Sequence, residues 1–239
     1  MSLHTITSAA GRVQKGAKGL RSFDRWWDSG GEWVEPANKR RGGESGVRIL
    51  RSLNDERPDL YCKRQIGHIY RSLQHPMGLP TVLRERKAYL AYARLGIRTP
   101  NIVYCGARRS DGNWQALLVT EALRGFVSLQ DWYRVQGETH VAQHLMAALG
   151  TELARLHKGR WQHGCLYPKH IFVKTLTNTL GGVQVEVALL DLEKSRQRWS
   201  VGKASRKDLS QLRRHWGELP KDDLLALEGS YQLALRGAL

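Results

Sequence analysis

The most informative stretch of the chain is Trp161-Gln-His-Gly-Cys-Leu-Tyr-Pro-Lys-His-Ile-Phe-Val173. It is followed a short distance later by Val187-Ala-Leu-Leu-Asp-Leu-Glu193. Apolar, β-branched runs predict a strand at residues 171–174 and another at residues 183–190, and the polar, glycine-containing segment 178–182 predicts the turn between them. The pattern therefore predicts a β-hairpin that presents Asp191 where its second strand ends.

Both segments are similar to the protein-kinase signature. That signature runs His-Arg-Asp-Leu, three residues and Asn, and continues on the next hairpin with Asp-Phe-Gly. In this alignment His163 is the loop histidine, Cys165 stands at the catalytic aspartate, His170 stands at the asparagine, and Asp191-Leu-Glu replaces Asp-Phe-Gly. The segment thus resembles the catalytic loop and metal-binding segment of a kinase-like phosphotransferase that lacks its base.

A lysine and a glutamate upstream fit the same interpretation. Residues 59–66 predict a strand that carries Lys63, where kinases hold the α and β phosphates of ATP with a lysine. After turns at His75-Pro76 and Leu79-Pro80, a helix is predicted from Thr81 to Leu95, with Glu85 in its early turns. Glu85 is placed to pair with Lys63. The alternative is that both side chains are only charges on solvated faces.

Two further segments are candidates for nucleotide contacts. Residues 38–47 predict a glycine-rich turn whose Gly43-x-x-Gly46 spacing matches the second half of the kinase glycine loop, although a plain hairpin turn explains it equally well. Strands predicted at residues 102–107 and 114–120 flank the hairpin signal Ser110-Asp-Gly-Asn. The second strand leads into Glu121, where a kinase passes from its small lobe to its large lobe and exposes backbone to the adenine.

The charge balance indicates anionic partners. The 239 residues include 38 Lys and Arg against 22 Asp and Glu, for a net charge of +16. Such a field attracts nucleotides, nucleic acid, anionic lipid or lipopolysaccharide, and charge alone does not choose among them.

Cysteine content and hydropathy argue against disulfide-stapled, zinc-binding and membrane-spanning proteins. The three cysteines Cys62, Cys105 and Cys165 have no CxxC spacing, which argues against a disulfide scaffold or a zinc site and favours a reducing compartment. We expect no signal peptide, and no stretch approaches the roughly 18 apolar residues of a membrane span. The expected location is therefore the cytoplasm, and a peripheral contact with the inner face of the inner membrane is left open.

The chain divides into three predicted parts. Residues 1–37 form a basic arm with a short helix anchored by Phe23, Trp26 and Trp27, whose charged face would be either solvated or docked on anionic lipid. Residues 38–122 form a β-rich N-lobe. Residues 123–239 form a reduced C-lobe, with helices predicted at residues 129–135, 139–157 and 224–235 and a capping-box-like helix start at Ser205-x-x-Asp208.

The chain resembles the bacterial lipopolysaccharide kinases of the InaA and WaaP type, which are related to protein kinases. Their catalytic loop has the form His-x-Asp-x-Tyr-x-x-His, matched here by His163, Tyr167 and His170, and their metal segment has the form Ile-Asp-Leu, matched by 190–192. The resemblance covers roughly residues 38–232. It implies an α+β, bilobal protein-kinase-like fold with a β-rich N-lobe and a short, mainly helical C-lobe.

The departure from the family pattern is Cys165 in place of aspartate. In phosphoryl transfer that carboxylate orients the acceptor hydroxyl and accepts its proton. A thiol with a reference pKa near 8.5 is mostly neutral at pH 7, and loss of a positioned base costs about 10²- to 10⁴-fold in rate. A nucleophilic Cys165 activated by His163 is a further alternative, but alternate side chains of an extended backbone point to opposite faces.

The resemblance implies an ATP- and Mg²⁺-dependent phosphotransferase that acts on a sugar hydroxyl of the lipopolysaccharide core or another anionic glycolipid. Lys63 would hold phosphates, Glu85 would orient Lys63, Asp191 would bind Mg²⁺, and His170 would support the metal or the loop. The alternatives are a pseudokinase that binds nucleotide and acts as a sensor or scaffold, and a basic nucleic-acid-binding protein. The last is disfavoured because no nucleic-acid motif is present.

Overall fold

The chain forms two units in the computed structural model, which describes residues 4–6, 17–40, 43–53, 56–73, 75–135, 137, 139–177 and 182–237. Unit 1 comprises Met1–Lys87 and Pro100–Arg124, and unit 2 comprises Ala88–Thr99 and Gly125–Leu239. The predicted arm residues 7–16 lie outside the described residues. The boundaries predicted after residues 37 and 122 stay predictions.

Unit 1 consists mainly of β-structure. Its elements are β1 (His4–Ile6), α1 (Ala17–Trp27), β2 (Glu32–Arg40), β3 (Gly43–Leu50), β4 (Leu60–Ile66), β5 (Ile69–Ser72), β6 (His75–Pro80), the start of α2 (Thr81–Arg94), β7 (Ile102–Ser110) and β8 (Asn113–Glu121). Six strands form an antiparallel sheet in the order β1-β7-β8-β4-β3-β2, and β5 pairs with β6.

Alternation along β4 gives the sheet of unit 1 two different faces. Cys62 is fully buried in a cluster with Phe23 of α1, Tyr104, Leu117 and Val119, against which Trp26 and Trp27 also pack. The predicted aromatic anchor of α1 is thereby confirmed. Because successive strand side chains point to opposite faces, Lys63 projects from the other side of the sheet.

Two local predictions in unit 1 were wrong. Gly43 and Gly46 lie within β3, although the hairpin alternative for residues 38–47 is supported because β2 and β3 pair antiparallel with Arg40 opposite Gly43. Residues 75–80 form strand β6 instead of isolated turns. The edge strand β2 was missed because Pro36 and several charged residues conceal its pattern. Its pairing with β3 shifts register twice, between Trp33 and Glu35 and again before Asn38. Proline and irregular pairing are both typical of a sheet edge.

Unit 2 combines helices with short strands. Its further elements are β9 (Val127–Ser128), α3 (Leu129–Val135), α4 (Thr139–Lys158), β10 (Trp161–Gln162), β11 (Ile171–Thr177), β12 (Val183–Leu189), β13 (Arg196–Gln197), α5 (Val201–Arg214) and α6 (Lys221–Arg236). Strands β11 and β12 form the predicted hairpin, β9 pairs with β11, and β10 pairs with β13.

Helix α4 lies in the core of unit 2. Its predicted leucine stripe is fully buried. The helix packs closely against α6 at Gly150, where an added Cβ would lie 2.7 Å from the backbone nitrogen of Tyr231. Helix α5 corrects a third prediction: it begins at Val201 with Ser200 as its N-cap, so Ser205 and Asp208 lie inside the helix and not at its start.

Candidate active site

The predicted lysine–glutamate pair is present in unit 1. Lys63 Nζ donates to Glu85 Oε2 at 2.8 Å, and the Glu85 side chain is 4% exposed and that of Lys63 17%. A buried carboxylate of this kind depends on its cation, since removing one partner of a buried pair leaves an uncompensated charge. The structure therefore brings Lys63 and Glu85 together, while their contact with a nucleotide stays a prediction.

A second pair of residues, Gln65 and Thr81, helps to position Lys63 and Glu85, and it was not predicted from the sequence. Gln65 lies two residues after Lys63 on the same face of β4, and its Oε1 accepts a hydrogen bond from Thr81 Oγ1 at 2.8 Å. Thr81 begins α2 one helical turn before Glu85. Lys63 and Gln65 are two residues apart on one face of β4, and Thr81 and Glu85 are four residues apart on one side of α2. The Gln65–Thr81 hydrogen bond therefore aligns α2 with β4 so that Glu85 meets Lys63. In the sequence, the only sign of the Gln65–Thr81 pair was its spacing relative to Lys63 and Glu85.

The glycine and hinge candidates of unit 1 have local structural roles. An added Cβ at Gly43 would lie 2.6 Å from the backbone nitrogen of His68, and one at Gly46 would lie 2.7 Å from the ring of Trp33. Both glycines therefore permit close packing within the sheet. Glu121 ends β8, and its carboxylate accepts from Asn101 Nδ2 at 2.8 Å.

The β11–β12 hairpin of unit 2 brings His170 next to Asp191. The backbone nitrogen of Leu190 donates to the carbonyl of His170 at 3.0 Å, which closes the hairpin just before Asp191. His170 Nδ1 lies 3.5 Å from Asp191 Oδ2 and 2.8 Å from the carbonyl oxygen of Cys165. Because a carbonyl only accepts, Nδ1 of His170 carries a hydrogen and donates it to the Cys165 carbonyl.

Asp191 adopts an unusual backbone conformation. Its φ of 57° and ψ of 61° are left-handed, which an aspartate tolerates better than most residues but which still costs free energy. Such conformations cluster at functional sites. The carboxylate side chain is 36% exposed, so it is open to a ligand.

Helix α5 holds the catalytic loop from beneath. Asp208 accepts from the backbone nitrogens of His163 at 2.5 Å and Gly164 at 2.8 Å, and it is fully buried. Three residues along the same helical face, Gln211 accepts from the backbone nitrogen of Leu166 at 2.9 Å and donates to the Tyr167 hydroxyl at 2.8 Å. Asp208 and Gln211 together satisfy three loop amides. The sequence indicated Asp208 only as a family feature and a cap.

Two buried histidines complete this arrangement. His157 of α4 lies 3.2 Å from Asp208 Oδ2 through Nε2 and 3.1 Å from the Tyr231 hydroxyl through Nδ1. His163 is fully buried, its Nδ1 accepts from the backbone nitrogen of Cys165 at 3.2 Å, and burial lowers its pKa to about 4. His163 is therefore neutral at pH 7, and it positions the loop instead of transferring protons.

Cys165 occupies the place of the catalytic base but does not have a base's properties. The residue is 2% exposed, and burial, followed by the negative charge of Asp191, raises the pKa of its thiol to about 11. A neutral thiol is neither a proton acceptor nor an activated nucleophile at pH 7. This supports the interpretation of Cys165 as a structural residue.

The remaining groups suit a metal that is shared with phosphates. Among the described residues, no group of three or more His, Cys, Asp and Glu side chains could hold a metal alone. Mg²⁺ is commonly bound by one or two carboxylates with water and substrate phosphates supplying the rest. The open carboxylate of Asp191, in unit 2, suits Mg²⁺ by its chemistry.

Comparisons with known proteins identify relatives across most of the chain. The family described as "Lipopolysaccharide kinase (Kdo/WaaP) family" matches residues 24–231. Protein InaA of Escherichia coli (strain K12) is 38% identical over 213 residues, which cover 87% of this chain and 94% of that protein.

Solved structures give the same result for the fold. WaaP, solved in complex with acyl carrier protein, is similar with a TM-score of 0.63 and 17% identity, over 89% of this chain and 82% of that one. The Rio2 kinase of Chaetomium thermophilum, in an ADP/Mg²⁺-phosphoaspartate complex, is similar with a TM-score of 0.52 and 13% identity, over 97% and 76%.

The fold therefore defines the class: an α+β, bilobal protein-kinase-like protein with a β-rich N-lobe and a short, mainly helical C-lobe. The chain belongs to the lipopolysaccharide kinase (Kdo/WaaP) family. No helix in the described part of the chain has the length and apolar character needed to cross a membrane.

The Cys165 thiol should react slowly with iodoacetamide in the native protein at pH 7, because the thiolate is the reactive form and its pKa is raised to about 11. Its rate should rise about tenfold per pH unit from pH 7 while the protein stays folded, as expected below the pKa of a thiol. The internal reference is the cysteine of a Ser210→Cys variant, exposed on α5. Mass spectrometry after timed quenching reports both rates, and equal rates at pH 7 would contradict the assignment.

Proposed function

We propose that this protein binds ATP with Mg²⁺ and is an ATP-dependent phosphotransferase that acts on a sugar hydroxyl of the lipopolysaccharide core or a related anionic glycolipid. Membership of the lipopolysaccharide kinase family supports the acceptor class. The single observation that carries the proposal is the Lys63–Glu85 ion pair at 2.8 Å, since a buried pair so placed is what a phosphate-binding lysine requires.

Each residue has a distinct part in the proposed reaction. Lys63 neutralises phosphate charge, and Glu85 keeps its ammonium in place. Asp191 would hold the Mg²⁺ that phosphoryl transfer needs, and the ring of His170, whose Nδ1 lies 3.5 Å from Asp191 Oδ2, supports that carboxylate. Such transfer depends mainly on positioning and charge neutralisation, which these residues provide without covalent chemistry.

The acceptor side of the reaction is where this chain is weakest. No carboxylate stands at position 165, and the neutral thiol there cannot accept the proton of the acceptor hydroxyl. A positioned base contributes about 10²- to 10⁴-fold to such reactions, so we expect slow turnover. This observation favours the second candidate, a pseudokinase that binds nucleotide and acts as a sensor or scaffold in envelope stress or lipopolysaccharide metabolism.

Calorimetric titration of ATP tests the nucleotide site without knowledge of the acceptor. Wild-type protein should bind ATP only when Mg²⁺ is present, and Asp191→Ala should abolish the Mg²⁺-dependent part. Lys63→Ala should weaken binding about 10- to 100-fold, as expected for loss of a charge-assisted contact.

The matched controls are Lys87→Ala and Asp222→Ala, which remove exposed charges of the same type from α2 and α6. Both should leave the affinity for ATP unchanged. Absence of binding in folded wild-type protein, or equal binding by Lys63→Ala and Lys87→Ala, would overturn the proposed nucleotide site.

Restoring the missing carboxylate distinguishes the two candidate functions. Cys165→Asp should raise phosphoryl transfer from labelled ATP to purified lipopolysaccharide core about 10²- to 10⁴-fold, the usual contribution of a positioned base. Cys165→Asn is the control of equal size without charge. If both variants bind ATP and both remain inactive, the phosphotransferase candidate fails and the nucleotide-binding pseudokinase is favoured.

A further inference from the structure

A strongly basic, acid-free segment begins three residues after the Asp191 carboxylate, immediately beyond Glu193. From Lys194 to Lys207 the chain carries six lysines and arginines and no aspartate or glutamate. The segment contains Trp199, which is 88% exposed, while the large aromatic residues of the unit 2 core are buried. Trp199 therefore adds an exposed indole to this group of cations.

Three cations of this segment have no carboxylate partner among the described residues. Lys203, Arg206 and Lys207 are exposed on α5 and form no ion pair with any of those residues. Arg196 is also exposed, and Arg198 lies two residues further on. Burial, followed by the positive charge of Arg196, lowers the pKa of Arg198, while the negative charge of Asp208 acts in the opposite direction.

The backbone of the segment is nevertheless held in place. Ser195 Oγ donates to the carbonyl of Gln162 at 2.9 Å, and the Arg198 backbone nitrogen donates to the carbonyl of Arg160 at 2.7 Å. Arg198 Nε also donates to Gln162 Oε1 at 2.6 Å. The crowded charges and Trp199 are therefore presented by a fixed scaffold, the β10–β13 ladder.

This scaffold is continuous with the catalytic loop. An added Cβ at Gly164 would lie 2.6 Å from the carbonyl oxygen of Lys194, so the loop and the start of the basic segment are in contact. Helix α5 also links the two. Its buried face carries Asp208 and Gln211, which bind the loop, and its exposed face carries Lys203, Arg206 and Lys207.

We propose that Arg196, Trp199, Lys203, Arg206 and Lys207, which we call the Trp199 surface, dock the protein onto the surface of an anionic phospholipid membrane. The inference rests on the proposed function in one respect: docking matters for the reaction only if the acceptor is a membrane-bound glycolipid that must reach the loop. Basic side chains bind the phosphate headgroups. Trp199 enters the headgroup region, where an indole has both apolar and polar contacts.

Vesicle flotation tests the Trp199 surface. Wild-type protein should float with vesicles of phosphatidylcholine and phosphatidylglycerol, and not with vesicles of phosphatidylcholine alone. The double variant Lys203→Gln with Lys207→Gln should bind the anionic vesicles roughly 30-fold less, from the usual contribution of two cations near an anionic surface. Trp199→Ala should also weaken binding severalfold.

Matched variants control for total charge and for apolar area. Lys87→Gln with Lys221→Gln removes two exposed lysines elsewhere, and Leu225→Ala removes another exposed apolar side chain. Neither should reduce flotation. Equal losses in test and control variants, or no flotation of wild-type protein, would overturn the proposal.

Two further measurements distinguish membrane binding from binding of free phosphate and from binding of nucleic acid. Inorganic phosphate at matched ionic strength should not release the protein from vesicles, and release would mean a free-phosphate site instead of a lipid surface. Trp199→Ala should affect single-stranded DNA binding less than vesicle binding, and the reverse would indicate base stacking. ATP titration of the same variants should match wild type, so that a failure of docking is distinguished from a failure of the nucleotide site.

Discussion

The carboxylate of Asp208 is the interaction on which the candidate site of unit 2 depends. It accepts hydrogen bonds from two consecutive loop amides, at His163 and Gly164, in a fully buried position. Without it, two buried backbone donors would lose their partners, and each unmade buried hydrogen bond costs about 1–3 kcal/mol. The same carboxylate binds His157 of α4, so one side chain couples the loop to two helices.

This arrangement explains how the loop keeps its form although Cys165 has replaced the acid. The loop backbone is fixed by Asp208 and Gln211, and His163 binds the amide of residue 165 whatever its side chain is. The architecture is therefore independent of the chemistry at position 165. A chain of this family can therefore lose the acid at this position and keep its loop.

The sequence predicted the elements with strong periodicity and the residues with a family motif. The leucines of α4 and the β11–β12 hairpin were found because each follows a spacing that its own element imposes. The Lys63–Glu85 pair was found because both positions match the kinase pattern. The family resemblance also gave the correct fold class. These predictions required only local geometry and one motif.

The residues that support the site were not predicted, because no motif links them to their partners. Asp208 is 44 residues from Gly164, and Thr81 is 16 residues from Gln65. A polar residue on a helix gives no local sign that it will be buried against a loop. Edge strand β2 was missed for another reason: its proline and charges fit a sheet edge, where alternation is not required.

Native-state amide hydrogen exchange at His163 and Gly164 tests whether Asp208 holds the loop, in wild type and in Asp208→Asn, with Ser210→Ala as the control on the exposed face of α5. We expect Asp208→Asn to speed exchange of these two amides at least about tenfold, the effect of one lost hydrogen bond, while Ser210→Ala leaves them unchanged. Equal protection of both amides in wild type and Asp208→Asn would show that the loop is held by something other than this carboxylate.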